Sequence, residues 1–247
     1  MLVQLAYDES TYPVRADVAA AHARAWQRLA APGTWLDGAM RVAIAAETRH
    51  APACAHCAAV KQALSPATSA ELHDAVTALP AIWVDAIHRI RNDAPRLSDT
   101  WLNGLRAEGL EDPQIVEMTG VIATVVAIDT FTDALGLPRH PLPEPLPGEP
   151  SRTLPAGARP GVGRFATVAP EDVKQGEADL YAELSGANIH RALSLVPAEV
   201  KGFFDLDTAM YLPDKELRNF GNETRALTHA QIELIAARVS AINQCFY

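Results

Sequence analysis

Two groups of residues in this chain carry side chains able to do chemistry. The first is Cys54-Ala-His56-Cys57. At the start of a helix this spacing brings both sulfurs to one end, where they can close a disulfide. A thiolate there is stabilised by the unpaired backbone N–H groups and the helix dipole. His56 and His50 stand close enough in sequence to shuttle protons, and Glu47, two turns before Cys54, could act as a base. The two sulfurs with a histidine such as His50 would also supply three ligands for zinc. No second Cys-x-x-Cys and no His-x-x-x-His completes that set, so no metal is expected. The plainer alternative is two small buried apolar side chains beside a surface histidine.

The second group is Glu233 and Cys245, near the end of the chain. Glu233 sits among Ile232, Leu234, Ile235, Ala236 and Ala237, which predicts a buried helix with the carboxylate partly buried. Burial raises a carboxyl pKa and makes a better base near neutral pH. At about 100° per residue, Cys245 lies about 120° around the helix from Glu233. The position three residues further on would lie about 60° away. A salt-bridged glutamate on an amphipathic helix is the competing reading.

Helices are the elements expected to position these groups. Alanine is abundant and aromatic residues are only 6 % of the chain, which favours helix, because alanine loses no side-chain entropy there. Apolar spacing predicts helices over residues 14–31, 34–50, 54–64, 69–78, 80–92, 98–108 and 112–136. Asp112 is the expected N-cap of the last of these, with Pro113 in the first helical position. Eight prolines between Pro138 and Pro160 then mark an extended connector. Beyond it, helical segments are expected near residue 171 and over 188–195, 197–211 and 214–220. A final helix is expected after the capping box Thr228-His-Ala-Gln231. No β-alternation and no Gly-rich phosphate loop is evident.

Composition limits the partners. The formal net charge is −9 with no Lys/Arg cluster, which argues against nucleic acid and against anionic membranes. The longest nearly apolar run, Met118 to Ile128, is shorter than the ~20 residues of a membrane span. The N-terminus has neither the basic nor the apolar region of a signal peptide, so a cytoplasmic location is expected. Three cysteines in a reducing compartment point to redox or metal chemistry rather than structural disulfides.

On these residues the chain resembles the alkylhydroperoxidase D / carboxymuconolactone decarboxylase family, as a tandem-repeat, peroxidase-related member. The family's motif is a Glu, a Cys twelve residues later, then x-x-Cys, then a His four residues on. Glu233 and Cys245 have the first spacing, preceded by Arg238-Val-Ser-Ala-Ile-Asn243. The second Cys and the His would lie past Tyr247, so the chain is expected to continue. Cys54-Ala-His56-Cys57 matches the Cys-x-His-Cys variant, but Val42 stands where the Glu is expected and Lys61 where the His is. Gly109 to Glu117 through Ala134-Leu-Gly136 is similar to the helix that follows the cysteine pair.

The resemblance implies an all-α fold of two tandem helical units, 1–137 and 164–247, joined by a Pro-rich linker over 138–163. It implies a homo-oligomer that needs no cofactor, and a thiol-dependent hydroperoxide reductase acting on a small hydroperoxide with a dithiol reductant. Cys57 would be the peroxidatic thiolate, Cys54 the resolving thiol and His56 a proton relay. Glu47 would stand in for the missing carboxylate. Glu233 would be the base, and Cys245 the resolving thiol, of a second site. Two alternatives stay open: a lactone-type decarboxylase or isomerase acting through acid–base residues, and a non-catalytic helical assembly or redox-sensing module.

Overall fold

The computed structural model describes residues 5–64, 72–161 and 163–245. The fold is all-α. The N-terminal helices are α1 (Ala16–Ala30), α2 (Gly38–His50), α3 (Ala55–Gln62), α4 (Ala81–Asp93), α5 (Asp99–Ala107) and α6 (Asp112–Ala134). After the proline-rich stretch come α7 (Asn188–Arg191), α8 (Pro197–Met210) and α9 (His229–Ile242).

Local signals set the helix ends. Asp37 caps α2 by accepting from the Met40 N–H, and Ser98 caps α5 through the Trp101 N–H. At α6 the cap falls one residue earlier than expected: Glu111 and Gln114 form a capping box, which draws Asp112 into the helix. The same helix ends on Gly136 at φ +69. There the Gly136 N–H donates to the Asp133 carbonyl and the Leu137 N–H to Thr132, a closure that needs a left-handed residue. Thr228 and Gln231 form the expected capping box of α9.

Helix α6 is the central post. It packs against α2, α4 and α8, and α8 also lies along α1. By length and composition α6 could cross a bilayer, but most of it is covered by the surrounding helices. Ile115, Met118 and Ile128 from α6 meet Trp26, Leu29, Leu36, Ile44 and Ile87 in one core. Each such side chain contributes roughly 1.5–3 kcal/mol of apolar burial. Leu206 and Ala209 of α8 belong to the same core.

A charged knot crosses this core. Arg41 of α2 reaches both Glu117 of α6, at 2.5 Å, and Glu199 of α8, at 2.7 Å. Glu117 also accepts from the Trp35 N–H at 2.7 Å. Gly120 makes room for it: a Cβ there would stand 2.4 Å from a Glu199 carboxylate oxygen.

Several segments depart from the expected pattern. The helix expected over 69–78 is not formed by residues 72–78, and residues 69–71 lie outside the described residues. The Val76 and Thr77 N–H groups are donated to Glu47 instead of to carbonyls one turn back. The segments near 171 and over 214–220 contract to short 3-10 turns, and 188–195 to one helical turn. A two-residue antiparallel ladder, β1 (Ala158–Arg159) with β2 (Thr167–Val168), was not expected. Strands that short carry no alternation to read.

The largest correction concerns α9. The final helix is not buried: of its residues only His229 is, and Leu234, Ile235, Val239 and Ile242 are exposed.

His22 of α1 is fully buried between Tyr7 and Phe131, and its Nδ1 accepts from the Tyr7 hydroxyl. Burial, aided by repulsion from His140, pushes its pKa down to about 4. The unfolded chain therefore takes up a proton below the ordinary imidazole value of 6.5, while the folded chain does not until about pH 4. Stability is thus lost as pH falls through that window. Urea unfolding at pH 7 and pH 5 should differ by up to about 2 kcal/mol from this residue. His22→Phe should flatten that part of the slope, and an unchanged slope would refute the assignment.

Candidate thiol–imidazole site

Pro52 turns the chain between α2 and α3 through a short 3-10 turn, Ala51–Ala53. The turn leaves Cys54 as N-cap of α3 and Cys57 in its first turn. Both cysteines are free thiols and both are buried, Cys54 at 1 % and Cys57 at 7 % exposure.

Two histidines converge on these sulfurs. His73, from the irregular segment before α4, places Nδ1 3.4 Å from Cys57 Sγ and 3.8 Å from Cys54 Sγ. His88 of α4 places Nδ1 3.4 Å from Cys57 Sγ. One ligand atom from each of Cys54, Cys57, His73 and His88 lies within 4.8 Å of all the others.

Each imidazole is backed by a carboxylate through its other nitrogen. His73 Nε2 is 3.1 Å from Asp85, whose second oxygen accepts from Trp101 Nε1 at 3.0 Å. His88 Nε2 is 3.0 Å from Glu47 Oε2. Glu47 Oε1 also accepts from the Val76 N–H, the Thr77 N–H and the Thr77 hydroxyl. Glu47 thus holds both the segment leading from His73 and the ring of His88. His56 is buried with its ring edge-on to His73, centroids 4.5 Å apart, and His50 pairs with Asp74 at 3.2 Å.

The electrostatics separate the two histidines. Burial alone would lower His73, but hydrogen bonding to Asp85, Cys57 and Cys54 outweighs it and holds His73 well above its ordinary range. His88 is lowered, first by burial and then by repulsion from His73 and His50, against the pull of Glu47. Cys54 is lowered: burial would raise it, but the Cys57 and Asp74 N–H groups and His73 outweigh that. Glu47 is held below its usual value despite burial, through Thr77, His88 and the two N–H groups. It accepts these bonds as a carboxylate, so His88 carries its proton on Nε2 and presents a bare Nδ1 to Cys57. The two imidazoles of one site are thus driven in opposite directions.

A cavity of about 430 Å³ adjoins the cluster. Val60, Leu72, Ile82 and Val84 give it apolar walls, and His56 and His73 face it.

The second expected pair lies apart from this cluster. Glu233 accepts from the Tyr211 hydroxyl and stands 4.0 Å from His229, while Cys245 lies exposed past the end of α9. His73, His88 and Asp85 were not singled out in the sequence. His88 and Asp85 carried a signal: they are three residues apart, one turn of the helix predicted over 80–92. His73 carried none: the spacing around it predicts a helix over 69–78 that residues 72–78 do not form, so its neighbours in the fold could not be read from that spacing.

No family model, curated protein or solved structure matches the chain.

Proposed function

We propose that the chain is a thiol-dependent reductase of small organic hydroperoxides, cycling Cys54 and Cys57 between dithiol and disulfide. The observation that supports this best is the pair of carboxylate-backed imidazoles set against the two sulfurs. In this reading His88 Nδ1 takes the proton from the Cys57 thiol, and protonated His73 stabilises the thiolate. The thiolate attacks one peroxide oxygen and the O–O bond breaks. The departing alkoxide takes a proton from His73, leaving an alcohol and a Cys57 sulfenic acid. The Cys54 thiolate then attacks that sulfur and expels hydroxide, which is protonated to water as the disulfide forms. An external dithiol restores both thiols. Glu47 is a positioning residue that orients His88 rather than a base, and the apolar cavity would hold the alkyl group.

The test is thiol counting by intact mass in metal-free protein after one equivalent of cumene hydroperoxide. We expect two thiols lost per chain, mapped to Cys54 and Cys57, and regained with a dithiol. No loss at these two residues would end the proposal. A decarboxylase-type reading would instead require activity that survives full alkylation of the thiols.

A further inference from the structure

We propose that Cys54, Cys57, His73 and His88 form a tetrahedral zinc site. The inference rests on donor geometry and stands apart from peroxide turnover. Zinc takes four nitrogen and sulfur donors at about 2.0–2.3 Å, which puts neighbouring donors about 3.3–3.8 Å apart in a tetrahedron. Three of the four sulfur–nitrogen distances are 3.4, 3.4 and 3.8 Å, and the four donors lie within 4.8 Å of one another. The set is two thiolates and two imidazoles, the composition of closed zinc sites.

The surroundings fit as well. Both imidazoles turn Nδ1 inward and offer Nε2 to a carboxylate, Asp85 for His73 and Glu47 for His88. That arrangement fixes the tautomer and orientation of a metal-bound histidine. Those carboxylates are themselves held, Asp85 by Trp101 and Glu47 by the Val76 and Thr77 amides. Two thiolates balance a divalent cation, so the buried cluster would be neutral when loaded. The sequence offers only Cys-x-x-Cys; the fold adds the other pair from His73 and His88.

A metal on both sulfurs ties up the electron pairs that attack peroxide, so zinc loading slows oxidation of the two thiols. Oxidation would release the metal. The two metal-bound thiolates, a hydroperoxide and two protons give the disulfide, an alcohol, water and free zinc. The sulfurs lose two electrons to the O–O bond.

The test is titration of the metal-free chain with cobalt(II), followed by displacement with zinc. We expect one equivalent bound, with the visible bands of tetrahedral cobalt and a thiolate-to-cobalt charge-transfer band, and loss of both on adding zinc. His73→Gln and Cys54→Ser should each weaken binding at least about tenfold, with far-ultraviolet circular dichroism reporting folding. Should a variant not fold, alkylation of the unaltered chain decides: zinc should protect Cys54 and Cys57 while Cys245 still reacts. No charge-transfer band at one equivalent, a folded His73→Gln chain that binds as tightly as the parent, or no protection would each overturn the site. A cobalt band in a chain that never loses thiols to peroxide would sink the reductase reading alone.

Discussion

Cys57→Ser should leave metal-free protein without measurable turnover of an organic hydroperoxide, a loss of at least about a thousandfold, as expected when a covalent nucleophile is removed. Cys57 is the sulfur that both imidazoles reach, each at 3.4 Å, and the more accessible of the pair. Serine keeps the size of the side chain but replaces the thiol by a hydroxyl, a far weaker nucleophile. Cys54→Ser should fail differently. Cys57 can still attack once, so one equivalent of peroxide should be consumed and a sulfenic acid trapped by a 1,3-diketone, with no second turnover. The two variants together separate attack from resolution. Turnover by Cys57→Ser at the parental rate, or sustained turnover by Cys54→Ser, would reverse or remove the roles given to these sulfurs. Glu47→Gln tests positioning: its amide can still accept from His88 but no longer matches a charged acceptor. Its loss should appear in the pH profile of sulfenic acid formation rather than in peroxide binding.

The sequence made half of this site legible, and the physical reason lies in how each half is held. Cys54 and Cys57 belong to one helix start, and a proline and a helical period mark such a start. Glu47 was also in view, because it sits on a periodic helix two turns earlier. Its partners were not. In the sequence it is a carboxylate near a thiol, whereas in the fold it receives two backbone N–H groups, a hydroxyl and an imidazole. Such a carboxylate is stabilised as an anion and makes a poor base. His73 was hidden because its segment takes its shape from Glu47 and not from its own periodicity. The helices followed the same logic: α2, α5 and α6 have side-chain caps, and α1 to α6 appear within a few residues of their expected bounds. Beyond the prolines, the helical expectations contracted where polar and glycine residues interrupt the apolar stripe. Helix α9 did form, capped as expected by Thr228 and Gln231. What the pattern could not tell was whether anything in the chain covers it.

Arg41→Met should destabilise the fold by about 3–5 kcal/mol, the usual penalty for removing one partner of a buried ion pair. Methionine matches the stem of arginine and leaves no large cavity, so the loss isolates the charge. Arg41 has 5 % exposure, Glu117 has none and Glu199 is 7 % exposed. Without the guanidinium, two carboxylates from α6 and α8 would face each other in the core. Glu117 is already raised, chiefly by burial, with Arg41 pulling it down and Glu199 pushing it up. Removing Arg41 takes away the restraint and raises it further. The sign for pH follows. A carboxyl whose folded pKa exceeds its unfolded value binds more protons folded than unfolded, so stability falls as pH rises through that interval. Arg41→Met should therefore regain part of its loss on acidification from neutral pH. At this chain length, 3–5 kcal/mol corresponds to a fall in Tm of about 6–20 °C. A double-mutant cycle with Glu117→Gln should show strong coupling, because the second change removes one of the two charges left unpaired by the first. If Arg41→Met melts within about 2 °C of the parent, the loss is under about 1 kcal/mol. The knot would then contribute little net stability, and the packing of α2, α6 and α8 would rest on their apolar faces alone.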